Sequence, residues 1–301
     1  MIRVLGTIIA GLLGLAFGRF LNVCLSRWPT GESIVHPRSH CMSCGRTLEW
    51  WENVPLVSWL ALRGHCRSCR AWIGWRYPLV ELAVGVLWAY SWWHILPELL
   101  DPRLPIIFTY HDLVDAIGKM IFYWLLVALA ALDAESLWLP NWFTFPGIAL
   151  GFCVAIAKAT FVALSPIHDT VNRFETVRYE TGQAAISSLV GILLAAGLIL
   201  LIRWIYWLIR RREGIGLGDA KLMAMLAAWL GLPGALLAFG LGVVLGAIAA
   251  LVLLVLPSTR ENKEGWAQIK LPLGTFLCVG GIVSSLWGER IIDAYRRWAG
   301  L

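Results

Sequence analysis

Charge is scarce in this chain. Only 15% of its 301 residues are Asp, Glu, Lys or Arg, 59% are hydrophobic, and the mean hydropathy is +0.71. A water-soluble domain of this size needs far more polar residues to cover its surface, so that class is excluded. The apolar runs also lack the period-two alternation of a transmembrane barrel strand. No H-E-x-x-H motif is present, which disfavours a zincin-type protease, and no Ser/His arrangement suggests a serine intramembrane protease. No internal repeat or low-complexity segment stands out. The formal charge of +6 does not point to nucleic acid. The basic residues gather in segments between apolar runs, where they set membrane topology.

What the sequence does contain is a series of apolar runs near the ~20 residues that cross a bilayer. They cover 4–25, 78–97, 114–132, 142–164, 184–209, 220–232, 235–256 and 272–295. The expected fold class is an all-α polytopic membrane protein of about eight transmembrane helices with a zinc-stabilised cytoplasmic loop. Polar outer loops are expected at 98–113 and 165–183, and a break at Pro233 and Gly234. Residues 26–77 hold seven Arg, no Lys and three acidic residues. Such a loop resists translocation, so it faces the cytoplasm and the first run is a spanning helix rather than a signal peptide. Eight crossings then put 26–77, 210–218 and 257–271 on one inner face, and Trp138, Trp142, Trp207 and Trp229 near span ends.

Cys41-Met-Ser-Cys44 and Cys66-Arg-Ser-Cys69 are two C-x2-C pairs separated by 21 residues. Each pair supplies two thiolates from one turn, and together they match a four-thiolate zinc site. Two disulfides are the alternative. A cytoplasmic location keeps thiols reduced and favours metal. Four thiolates leave no open position, so the expected zinc is structural, one per chain. Cys24, Cys153 and Cys278 stand alone in apolar segments and are packing residues.

Two acids fall at span ends. Asp133 closes the third run, and Asp219 opens the sixth, directly after Gly216-Leu217-Gly218. In the expected topology both reach the same depth on the same face. Two close carboxylates that share a proton can activate a water, the chemistry of an aspartyl dyad. Taken alone, Asp219 reads better as an N-cap and Asp133 as a boundary marker. Glycines before Asp219 permit close backbone approach by an extended peptide. Asp133 lies at a helix C-terminus and Asp219 at an N-terminus, so the local dipoles assign the shared proton to Asp133. Lys221 is a supporting candidate, to orient a carboxylate or bind substrate, or a cation snorkelling to the interface. Glu49, Glu52 and Glu81 are expected in ion pairs within the loop region.

The same residues resemble the type IV prepilin peptidases, or leader peptidase/N-methyltransferases, over nearly the whole chain. Phe20-Leu21-Asn22-Val23, Trp51 to Trp59, Arg63-Gly64-His65-Cys66 and Arg76 to Glu81 follow in the family's order. Asp133 with Leu139-Pro140, Gly216 to Leu222, and Leu271-Pro272-Leu273-Gly274 complete the series. Asn141 stands where the family commonly has Asp. The resemblance implies a membrane aspartyl endopeptidase that cleaves the short basic leader of type IV prepilins or type II secretion pseudopilins. Asp133 and Asp219 are then catalytic, and Gly216, Gly218 and Lys221 support them. It further implies N-methylation of the new terminus from S-adenosylmethionine and a structural zinc on Cys41, Cys44, Cys66 and Cys69. The expected location is multi-pass in the bacterial inner membrane, active site toward the cytoplasm, with prepilins and the lipid bilayer as partners and no nucleic acid. The expected organisation is 1–25 first transmembrane helix, 26–77 zinc loop domain and 78–301 helical peptidase domain. A proton- or cation-coupled transporter using Asp133 and Asp219 is the rival reading.

Overall fold

A computed structural model describes residues 2–28, 31–36, 38–99, 106–165, 173–211, 216–255 and 271–300. Among them are eight α-helices and a short 3-10 turn at Trp50–Asn53, with two isolated bridges and no β-strand. The helices are α1 (Ile2–Arg27), α2 (Val57–Ala61), α3 (Arg76–Leu99), α4 (Ile106–Ser136), α5 (Asn141–Ala163), α6 (Arg173–Arg210), α7 (Leu217–Val255) and α8 (Leu273–Ala299). Six of them, α1 and α4 to α8, are long and apolar enough to cross a bilayer. The chain is a multi-pass helical membrane protein.

Two expected loops are partly helical. α4 begins at Ile106 and α6 at Arg173, so both helices run into polar sequence. In α4 the polar residues support each other, with Lys119 paired to Asp115 one turn away at 2.6 Å. The expected sixth and seventh spans are two segments of α7. Its 39 residues would extend about 58 Å as one straight rod, well beyond a ~30 Å hydrocarbon core. The break lies at Gly231 (φ 69°, ψ 171°), two residues before Pro233. Proline lacks an N–H, clashes with the carbonyl four residues back and restricts the residue before it, so the chain unwinds upstream at a glycine that tolerates positive φ. The remaining loop positions on which the topology draws, including Arg212, Arg260, Lys263 and Lys270, lie outside the described residues.

The chain divides into two compact units, Met1–Ala131 and Leu132–Leu301. In the first, α1 and α3 run antiparallel in close contact. Cβ atoms added at Gly14 and Gly18 would lie 2.8 Å from the Gly85 Cα and 2.7 Å from the Glu81 Cα. This is the small-x3-small packing by which membrane helices approach without a hydrophobic driving force. In the second, α7 is central and contacts α5, α6 and α8. The Trp229 Nε1–H donates to the Gly147 carbonyl at 2.8 Å, and the Ser284 hydroxyl to the Gly234 carbonyl at 2.8 Å. Such bonds satisfy polar groups where no water reaches.

Candidate active site and metal centre

The two cysteine pairs fold as near copies. His40-Cys41-Met42-Ser43-Cys44 and His65-Cys66-Arg67-Ser68-Cys69 share three residue types at the same offsets, a short repeat that the sequence reading passed over. In each, the first cysteine N–H bonds five residues on, Cys41 to the Arg46 carbonyl and Cys66 to the Ala71 carbonyl. Bridges His40–Thr47 and His65–Trp72 close the two turns. The turn residue with positive φ is Gly45 in the first and Arg70 in the second.

All four sulfurs lie within 4.8 Å of one another, and Cys41 and Cys69 are 3.8 Å apart. Four Zn–S bonds of about 2.3 Å define a tetrahedron with edges of about 3.8 Å. A disulfide would need about 2.05 Å. The donor set and its spacing therefore fit zinc. The thiol chemistry agrees. The Cys69 and Ser68 N–H groups draw the Cys66 thiol down to about 6. The Ala71 N–H also favours a thiolate at Cys69, but desolvation and the sulfurs of Cys66, Cys44 and Cys41 push it up to about 11. One thiolate forms readily and the next is resisted unless a cation sits among them.

The loop is tied to the helices by buried acids. Arg46 bonds both oxygens of buried Glu52, and the Glu49 N–H donates to the same carboxylate at 2.8 Å. Burial alone would raise the Glu52 carboxyl. The Glu49 N–H and Arg46 outweigh it and hold the group below its ordinary value. Glu81, 1% exposed on α3, pairs with Arg19 of α1 at 3.2 Å and accepts the Leu56 N–H at 2.8 Å. The expected structural pairing holds for Glu52 and Glu81.

The second unit brings four helix ends together. Asp133 lies in the last turn of α4 and Asp219 in the first turn of α7, both buried. The Thr275 N–H and hydroxyl, from the first turn of α8, donate to Asp133 Oδ2 at 2.7 and 3.2 Å. The Gly216 N–H donates to Asp219 Oδ2 at 3.2 Å. Leu139 lies close to the glycines of both helix starts. A Cβ on Gly274 would meet Asp133 Cγ at 2.9 Å and Leu139 at 3.1 Å, and one on Gly218 would meet Leu139 at 3.1 Å. The charge of Asp133 acts on Asp219, and both act on buried Cys278 one turn into α8. Gly216 and Gly218 thus serve the site differently: one donates a bond and the other makes room for Leu139. Lys221 contacts neither acid. Its ammonium donates to Asn141 Oδ1 at 2.5 Å, at the start of α5.

Sequence reasoning did not single out Thr275, and it counted only the helix that carries each aspartate. The N-terminus of α8 also faces Asp133, which opposes the local α4 dipole. The signal was present in Pro272 and the Gly274-Thr275 step, a helix start that carries a hydroxyl in its first turn.

Comparison with known proteins matches both units. Residues 12–95 match the bacterial peptidase A24 N-terminal domain, and 120–251 match the type IV leader peptidase family. The prepilin leader peptidase/N-methyltransferase of Pseudomonas aeruginosa is 32% identical across 96% of this chain and 93% of its own length. The chain belongs to the type IV leader peptidase family. The proteins of the same name from Burkholderia pseudomallei (33% identical, 92% of this chain, 84% of theirs) and Myxococcus xanthus (34%, 87% and 68%) agree. No solved structure matches the chain. In this leader peptidase, the first matched segment contains all four clustered cysteines and the second contains Asp133 and Asp219.

Proposed function

We propose that this enzyme cleaves the short basic leader from type IV prepilins or type II secretion pseudopilins, with Asp133 and Asp219 as its catalytic pair. The observation that carries the proposal is that these two buried carboxylates, one at the end of α4 and one at the start of α7, lie within electrostatic range of each other, with Leu139 close to the Gly274 and Gly218 backbones. Oδ2 of each acid is engaged, by Thr275 and by Gly216. The carboxylate edges that these bonds leave open are then the positions for water and proton. One carboxylate takes a proton from water as it attacks the scissile carbonyl. The other, protonated, donates to the carbonyl oxygen. Proton and water alone pass between them, and no covalent intermediate forms. The four-cysteine loop over 26–77 holds a structural zinc, and the peptidase helices extend over 78–301. The enzyme sits in the bacterial inner membrane with its active site toward the cytoplasm, where the arginine-rich loop is retained.

The relatives' names pair leader cleavage with N-methyl transfer, and we extend that second activity to this chain, with S-adenosylmethionine as methyl donor. The cavity of about 280 Å³ beside Arg27, Arg38 and Trp50 offers no carboxylate to a ribose or a sulfonium, so no methyl-transfer step is assigned to residues.

The test is cleavage of a prepilin by the purified enzyme in detergent. Asp133→Asn and Asp219→Asn should each lower the rate by at least about 10⁴-fold while expression and zinc content persist. Cleavage retained by either variant removes that residue from the pair. Ion flux without cleavage in the wild type returns the rival transporter reading.

A further inference from the structure

The zinc loop carries a basic concavity that neither the zinc nor the peptidase reading uses. About 750 Å³ in volume, it is lined by Ala61, Leu62, Arg63, His65, Cys66, Arg67 and Arg70, with no acidic residue. Arg67 lies 5.5 Å over the Trp51 ring. Glu52, an acid within its electrostatic reach, is already held by Arg46 and the Glu49 N–H. Arg63 and Arg70 both have positive φ, 51° and 58°. Non-glycine residues rarely adopt that conformation, and such strain gathers where a side chain has a task. The comparison within the repeat is direct. The first knuckle places Gly45 at the strained position and the second places Arg70 there.

The concavity lies near the start of α3. His65 touches Trp72 at 5.2 Å between ring centres, and Trp72 touches Trp75 at 5.9 Å. Trp75 immediately precedes α3, which packs along the membrane helix α1. Two ring contacts therefore separate the arginines from the start of α3, beside the spanning helix α1. Trp72 and Trp75 are 52% and 59% exposed, and Leu60, at 67%, stands on the neighbouring α2. Exposed Trp beside clustered Arg is the composition of a surface that rests among lipid headgroups.

We propose that the Arg63, Arg67 and Arg70 concavity binds the phosphate of an anionic phospholipid in the leaflet that α3 enters, with Trp72 and Trp75 set in the interface beside it. Guanidinium forks match phosphate oxygens bidentately, which lysine does not. The bound lipid holds the zinc loop against the membrane. This inference does not depend on the aspartate pair.

Hydrogen exchange of the full-length protein in lipid nanodiscs tests it, read on peptides covering 57–75. Discs of phosphatidylcholine are compared with discs holding about 30 mol% phosphatidylglycerol, and a detergent sample receives inorganic phosphate. Exchange should slow by about tenfold or more with phosphatidylglycerol. The effect should vanish in the R63Q/R67Q/R70Q variant and be only partly kept in R63K/R67K/R70K, with zinc content unchanged in both. Equal exchange in the two kinds of disc overturns the proposal. Protection by inorganic phosphate with no added effect of lipid overturns the lipid assignment. So does protection by an acidic peptide in phosphatidylcholine discs where phosphatidylglycerol gives none.

Discussion

Thr275 gives both its N–H and its hydroxyl to one oxygen of Asp133, at 2.7 and 3.2 Å. The first turn of α8 thereby fixes the carboxylate at the end of α4. The two bonds separate experimentally. Thr275→Val keeps the N–H and removes the hydroxyl, and a hydrogen bond to a charged group contributes about 1.5–3 kcal/mol. The expected result is a fall in kcat of about tenfold or more with KM little changed, measured on a prepilin peptide. Thr275→Ser should restore most of the rate. A Val variant with wild-type kcat would show that the hydroxyl holds nothing the reaction needs.

Gly274 backs directly onto the same carboxyl. An added Cβ would lie 2.9 Å from Asp133 Cγ, a distance that forces movement. Gly274→Ala should displace the acid and reduce cleavage by at least about 100-fold, since small misplacement of reacting groups is costly. The protein should still fold, with a stability loss of about 1–3 kcal/mol for overpacking. Thermal unfolding and steady-state kinetics on one preparation separate the two effects.

Zinc should be found at about one per chain by elemental analysis. A strong chelator, or Cys41→Ser with Cys69→Ser, should speed hydrogen exchange across 39–73 and leave α5 to α8 protected. The reason is local: among the described residues the two knuckles have no β-strand and little helix to hold them, only turns and two bridges. Unchanged exchange in metal-free protein would contradict a structural metal.

The Glu52 carboxyl sits below its ordinary value of 4.5, because the Glu49 N–H and Arg46 outweigh its burial. A depressed carboxyl stabilises fully above its unfolded value and loses that contribution as pH falls through the lower folded value. Between pH 6 and 3 the loop should therefore lose stability more steeply in wild type than in Glu52→Gln, the two curves converging at the acid end. Exchange rates of residues 46–56 against pH provide the comparison, and parallel curves would contradict it.

Gly14 and Gly18 set the spacing of α1 against α3. Gly14→Val should push the helices apart and break the Arg19–Glu81 pair at 3.2 Å, leaving a buried acid without its cation. Lower expression and a reduced unfolding temperature are expected, with partial recovery in a Gly14→Val, Glu81→Gln double variant.

Much of this was legible in residue order. Apolar runs with little charge force helices across a bilayer, because an unpaired backbone group in hydrocarbon is too costly for other structures. Two C-x2-C pairs show their shared site through spacing, since one turn brings both sulfurs to the same side, and the topology then favours metal over disulfides. Boundaries were less legible. α4 and α6 run past the apolar stretch because helical hydrogen bonds continue in water as well as in lipid, and hydropathy marks only the part that must be dry. The break in α7 was readable to within a few residues from Pro233, but its location at Gly231 depended on which residue could take positive φ.

What residue order could not supply was the company each aspartate keeps. Asp133 and Asp219 are separated in the chain by α5 and α6, and the packing of α7 against α5 and α8 brings them within electrostatic range. The partners of Asp133 come from a residue 142 positions away, through a backbone N–H that every amino acid except proline possesses. Local chemistry writes itself into spacing along the chain. A contact between distant helix ends depends on how whole surfaces fit, and no single residue type announces it.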